Sequence, residues 1–234
     1  MILKEIGCAT IKEYNRLIQT LPEVAGLSGD LKNFQRPWVA DRIMHYTQPG
    51  SAILEIGADR CEVARFLQRK GYEVWVIDAY DSFGCGTGKF KIVRFKFPRL
   101  KIFKGFFHED TKIPSDYFSS IYSCSVIEHI PQGKITLTNK RILECLKRGG
   151  FSIHAIDWTV EGSLLKNQPQ IEEMLKYYRS EVDVSHLREQ ALNDIDTYLL
   201  SPQGHYNWRK YLQKSYDEYP FRKVTSLNLV AQKE

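Results

Sequence analysis

Between residues 51 and 157 the apolar positions come in short unbroken runs separated by helix-patterned stretches. Ser51 to Gly57, Glu73 to Asp78, Lys101 to Phe106, Ser119 to Ser125 and Phe151 to Ile156 read as strands, with helices over 61–70 and 134–147. Gly71 and the pair Gly149-Gly150 serve as helix stops. Strands without polar alternation are buried on both faces, and their alternation with helices predicts an α/β chain: an open, mostly parallel sheet with helices on both faces.

The flanks are patterned differently. Residues 1–50 read as mainly helical, with segments Thr10 to Leu21 and Pro37 to Thr47, Pro37 fitting a first helical turn. Residues 158–215 hold helical segments, Gln170 to Tyr178 and Ser185 to Leu192 among them, and are expected to cap the open end of the sheet. Residues 216–234 close the chain with a strand over Lys223 to Gln232, expected to lie antiparallel at an edge. The whole reads as a single domain.

Composition changes this picture little. A hydrophobic content of 43% and a charged content of 26% are ordinary for a globular protein. No stretch approaches the roughly 20 apolar residues of a membrane span. Five cysteines, odd in number and scattered, with no secretory leader, fit reduced thiols and a cytoplasmic setting. No metal-ligand spacing is present, so no metal is expected.

Charge matters more. The net charge is +5, and Lys89 to Lys104 carries Lys89, Lys91, Arg94, Lys96, Arg99, Lys101 and Lys104 with no acid. Its alternation of cations and phenylalanines predicts a strand with a wet basic face and a buried aromatic one. A docking surface for an anionic substrate or nucleic acid is the alternative.

Two positions suggest a ligand. An apolar run ends in Glu55-Ile-Gly57, and a second ends in Asp78 about 20 residues further on, the spacing at which a strand-end acid meets the hydroxyls of a ribose. This pattern resembles the class I S-adenosylmethionine-dependent methyltransferases. Further matches are Tyr117 to Ile130, a strand leading into Glu128-His129, and Leu143 to Ile153, a helix, double-glycine turn and strand. The resemblance covers about Ser51 to Asp157. It implies a Rossmann-like fold and S-adenosyl-L-methionine as cofactor, held by Glu55, Gly57, Ala58, Asp59, Asp78, Ala79, Ser123, Cys124 and Ser125, with Glu109 or Asp110 at the adenine. The family's three-glycine loop departs here: Gly57 is followed by Asp59 and Cys61 where small residues belong. Gly84-Cys-Gly-Thr-Gly88 is also glycine-rich, but no helix pattern follows it, and it reads as a loop.

Methyl transfer asks mainly for alignment of the acceptor and exclusion of water, with a base where the acceptor is a hydroxyl. His129 is the first candidate base, its alternative being to brace the following loop; Asp157, read as the end of a strand, would orient the acceptor. His154, inside a strand, reads as a satisfied interior group. Arg36 and Trp38 are candidates to fold over the cofactor carboxylate, and Gly204 to Tyr211 to face the substrate. A small-molecule acceptor is expected ahead of RNA, with a catalytically inactive binding module as a further alternative. A nicotinamide-dependent dehydrogenase is a distant third, because its Gly-x-Gly-x-x-Gly loop is absent.

Overall fold

Every residue of the strand Ala52–Ile56 is buried, and the reason is visible in its neighbours. Ile53 joins a core with Phe34, Val39, Val63 and Phe66 on one face of the sheet. Leu54 and Ile56 join Ile135, Ile142 and Met174 on the other. A strand between two dry layers has no use for polar alternation, which is why the apolar runs were unbroken. The computed structural model describes residues 1–27, 29–58, 60–80, 90–110, 112–162, 168–178, 181–212 and 221–234.

The sheet has seven strands: β1 (Ile2–Cys8), β2 (Ala52–Ile56), β3 (Glu73–Asp78), β4 (Lys101–Lys104), β5 (Phe118–Cys124), β6 (Leu146–Gly162) and β7 (Phe221–Gln232). Their order is β1-β7-β6-β5-β2-β3-β4. Strands β2 to β6 run parallel, and β7 is antiparallel to both β6 and β1. The chain reverses its direction of sheet-building between β2 and β5, the place where ligands bind in such sheets. Helices α1 (Ile11–Thr20), α2 (Lys32–Tyr46), α3 (Glu62–Arg69), α4 (Phe90–Lys96), α5 (Gln132–Cys145), α6 (Gln168–Tyr177), α7 (Val184–Asn193) and α8 (Pro202–Leu212) complete the described elements. The Rossmann-like sheet and its antiparallel terminal strand agree with expectation; the edge position expected for that strand does not, because β1 pairs with its outer side and takes the edge.

Four local readings are corrected. The N-terminal segment contains β1, paired with β7 from Ile2↔Gln232 to Cys8↔Leu227. Nothing local announces a strand whose partner lies at the other end of the chain. Pro37 sits inside α2 rather than in its first turn; it leaves the carbonyl four residues earlier without its helical donor. The alternating basic segment is a helix over Phe90–Lys96. Val93 is buried, with Phe90 and Phe97 packed partly against the same core, a 90–93–97 spacing that is helical. Short apolar patterns fit both periods, and the tertiary contact decides. Lastly, β6 starts directly after α5 and runs on past Asp157, so the double glycine lies inside it. A Cβ on Gly150 would meet Lys147 O at 2.9 Å and Phe118 O at 3.1 Å, which explains the glycine without a loop.

One acid ties the core to the loop after β2. Glu55 is buried, and its Oε2 accepts from the Ala64 amide at 3.1 Å and the Tyr122 hydroxyl at 3.2 Å. It thereby fastens the first turn of α3 to β2 and β5. Burial pushes its pKa up to about 8, against the pull of Tyr122 and the Ala64 amide. A carboxyl that binds its proton more tightly when folded stabilises the fold at low pH, and that contribution disappears as pH rises through the folded value. Wild-type protein is therefore expected to lose chemical stability between about pH 5 and pH 8, with Glu55→Gln losing less over the same window, measured by urea unfolding at several pH values. In the same assay Leu54→Ala is expected to cost about 2–5 kcal/mol, while Ile195→Ala, at an exposed position, stays within about 0.5 kcal/mol.

Candidate functional site at the carboxyl ends of the strands

The loop leaving β2 lies against the end of β3. The Gly57 amide donates to Ile77 O at 2.8 Å, one residue short of Asp78. Gly57 has φ +71°, and a Cβ there would come within 2.4 Å of a Val126 methyl. Left-handed backbone and lack of room both require glycine at this position. Ala58 is buried, and its carbonyl accepts from the Cys61 amide at 2.7 Å. Cys61 itself adopts φ 56°, ψ 37° just before α3. The loop thus keeps a left-handed turn at a non-glycine residue, at a cost of about 1–2 kcal/mol. The Cys61 side chain is buried, with Sγ 3.7 Å from the Tyr80 hydroxyl. Asp59 lies outside the described residues, as does the Gly84–Gly88 stretch.

Asp78 ends β3 half-buried, and its Oδ1 accepts from the Tyr80 amide at 2.8 Å. That turn leaves Ala79 half-buried at the edge and sends Tyr80 into the core. Arg36 of α2 pairs with Glu62 at the start of α3, so a cation stands beside the same loop. Trp38, on the same helix, is buried instead. Gly105, whose amide donates to Asp78 O at 3.0 Å, lies beside Asp110: a Cβ there would be 3.4 Å from Asp110 Oδ2. Glu109 is largely exposed near Lys134 Nζ at 3.7 Å, and the Asp110 carbonyl accepts from Arg141 at 3.2 Å. Both cations belong to α5, so this loop is tied to α5.

The residues ending β5 divide between the two faces of the sheet. Ser123 is fully buried, its Oγ 2.7 Å from His154 Nδ1, and His154 Nε2 meets Ser152 Oγ at 2.7 Å. Burial lowers the imidazole pKa to about 3, so His154 is neutral and satisfied, as its position in a strand implied. Cys124 faces α2, with Sγ 3.7 Å from Gln35 Oε1, and burial pushes its thiol up to about 12. It is a packing group.

Ser125, at φ 52°, turns its Oγ to within 2.6 Å of Gln35 Oε1 and 2.8 Å of Asp157 Oδ1. Asp157 is not a strand end; it pairs with Ser226 in the middle of β6. Its Oδ1 also accepts from Gln35 Nε2 at 2.8 Å, and the same nitrogen donates to Ser226 Oγ at 3.2 Å. A hydroxyl has one proton, so Ser125 can donate to only one of its two neighbours at a time. Burial raises the Asp157 pKa, opposed by its bonds from Gln35 and Ser125.

Next to this cluster is the turn Ile127–His129. The Glu128 side chain is 2% exposed, whereas that of His129 is 66% exposed, with Nε2 3.9 Å from Glu128 Oε1. Neither Glu128 oxygen has a well-formed hydrogen bond among the described groups. Burial raises its pKa well above the carboxylate range, and the charge of Asp157 raises it further. Sequence reading missed Gln35 and Glu128. The Glu-His dipeptide was a signal for the second; the first depends on α2 crossing the strand ends. The Gly204 to Tyr211 cluster falls on α8, where Trp208 Nε1 donates to Asp30 Oδ2 at 3.0 Å, two residues before α2. Among the described residues no group of His, Cys, Asp and Glu could hold a metal ion.

No curated protein matches the chain. Among solved structures it is similar to a Haemonchus contortus phosphoethanolamine N-methyltransferase 2 in complex with phosphomonomethylethanolamine and S-adenosylhomocysteine. That pair shares 19% identity over 85% of this chain at a TM-score of 0.57; the match spans about half, 52%, of the nematode protein. The [4+2]-cyclase SpnF aligns over 98% of this chain and 99% of its own, at 13% identity and a TM-score of 0.57. A Burkholderia thailandensis 1,6-didemethyltoxoflavin-N1-methyltransferase, with that acceptor and S-adenosylhomocysteine bound, aligns over 95% of this chain and 84% of its own, at 11% identity and 0.55. At these identities the likeness establishes the fold. The model of the methyltransferase-domain family matches residues 30–209, more than half of the sequence. With α2, strands β2 to β6 and helices α6 and α7 inside that match, the chain belongs to the methyltransferase-domain family of the class I S-adenosylmethionine-dependent fold.

Proposed function

We propose that this protein transfers a methyl group from S-adenosyl-L-methionine to a small-molecule acceptor. The observation that carries the reading is the meeting of the left-handed Gly57 turn with the end of β3, one residue from Asp78. The groups present suit the cofactor. Asp78 offers a half-buried carboxylate for a ribose diol, and the Gly57–Ala58 backbone can approach a nucleoside closely. Cys61 supports the same reading: it adopts the left-handed conformation that glycine takes most readily, so the turn before α3 forms without a glycine there. The bound cofactor would supply an already activated methyl. The remaining tasks for the chain are orientation and exclusion of water.

Those tasks divide among named groups. Asp78, with the backbone of Gly57 and Ala58, would hold the nucleoside. Gln35, Ser125 and Asp157 form a preorganised polar wall, and the exposed imidazole of His129 stands beside it as the group able to take a proton from the acceptor. Asp157 and His129 each perturb the other's titration, which supports placing the base beside the wall. That the family's solved relatives include proteins bound to small acceptors, phosphomonomethylethanolamine and 1,6-didemethyltoxoflavin, favours an acceptor of that size here.

Calorimetric titration with S-adenosylmethionine is expected to show one site. Asp78→Asn keeps the oxygen that accepts from the Tyr80 amide but loses the charge, and should bind about tenfold more weakly or worse, as expected for one charged hydrogen bond. Absence of heat at millimolar ligand overturns the reading. Once an acceptor is found by radiolabelled methyl incorporation over a panel of small amines and alcohols, His129→Gln should lower kcat by roughly a hundredfold or more with cofactor affinity unchanged. A fall of less than about threefold removes the imidazole from proton transfer.

A further inference from the structure

The outer face of α4 is unlike the rest of the surface. The helix spends Val93 on the core, and Phe90 packs near Tyr80 with ring centroids 5.6 Å apart. On the opposite side Phe95 is 89% exposed and Ile92 is 57% exposed. These two are three residues apart and share a helical face. Lys91, Arg94 and Lys96 surround them, all exposed. Just beyond the helix are Arg99 and Lys104, and from Phe90 to Lys104 there is no acid. Lys101 pairs with Glu73, and Lys96 leans on the Phe97 ring at 5.5 Å. Lys91, Arg94, Arg99 and Lys104 have no ion pair among the described residues.

Single exposed apolar side chains are common and mean little. Two on one helical turn, ringed by cations, are a different case, because water disfavours the first and no acid among the described residues pairs with Lys91, Arg94, Arg99 or Lys104. We infer that α4 docks the protein onto an anionic phospholipid surface, with Ile92 and Phe95 entering the headgroup boundary and the surrounding Lys and Arg meeting lipid phosphates. Amphipathic helices with large apolar side chains and a basic surround bind bilayers in this way. An aliphatic Ile has no π face for a base to stack on, which favours lipid over single-stranded nucleic acid. The surface adjoins the crevice, since Tyr80, which receives Phe90, lies two residues past Asp78. Docked protein would therefore hold its candidate site near the lipid surface.

The test needs no cofactor, so its result is independent of the methyl-transfer reading. Purified protein is mixed with vesicles of phosphatidylcholine alone, or of phosphatidylcholine with roughly one third phosphatidylglycerol, and floated through a density gradient. Binding to the anionic vesicles and not to the neutral ones is expected. The double variants Ile92→Ser/Phe95→Ser and Lys91→Glu/Arg94→Glu should each lower partitioning by about tenfold or more while melting at the wild-type temperature, since all four side chains face solvent. Failure to float, or loss in only one of the two variants, overturns the proposal. So does tight binding of a short single-stranded RNA that charge reversal abolishes and the serine pair leaves intact, which would assign the surface to nucleic acid.

Discussion

A single side-chain amide organises the functional end of this molecule. Gln35 is fully buried; its nitrogen donates to Asp157 on β6 and Ser226 on β7, and its oxygen accepts from Ser125 and Cys124 at the end of β5. All the polar capacity of one amide is spent on three strands. A buried amide with an unmet donor or acceptor is costly, so this set of bonds specifies one seating of α2. That seating carries Arg36 to Glu62 and the loop after β2. Remove the amide and the helix keeps its apolar contacts, but loses the feature that fixes how it lies across the strand ends.

Acids buried at the same end of the sheet divide into two kinds. Glu55 is spent on the architecture: its carboxyl links β2 to α3 and β5 and is pushed up to about 8 by burial. Glu128 and Asp157 are both raised by burial, the charge of Asp157 raises Glu128 further, and Glu128 is without well-formed hydrogen bonds among the described groups. Two neighbouring carboxyls in a dry region resist carrying charge together. Perturbed groups gathered at strand ends are where chemistry is to be looked for, and the exposed imidazole of His129 is the one member of the trio open to solvent.

What could be read from the sequence was whatever the backbone imposes locally. Gly57 and Asp78 were found because a tight turn and a strand end leave fixed residue types at fixed spacing. Ser123 and Ser125 were named together, yet pleating sends Ser123 to His154 on one face while Ser125 reaches Gln35 and Asp157. Gln35 was invisible, since a glutamine in a helix says nothing about which strand it will meet. Asp157 was taken as a strand terminus, because β6 gains its extra length only by pairing with β7 far along the chain. The segment around Val93 was assigned the wrong period, its seven residues being compatible with both.

The pairing of Ile2 with Gln232 has a consequence for how the molecule is assembled. β7 is made after every other strand described and must enter between β1 and β6. Until β7 is in place, β1 carries an unmatched ladder of amides and carbonyls, and so does the flank of β6. Closing that gap joins Ile2 to Gln232, a contact of very long sequence separation and so of a slow kind to form. The sheet therefore finishes at its β1 edge, and that flank is the last to close.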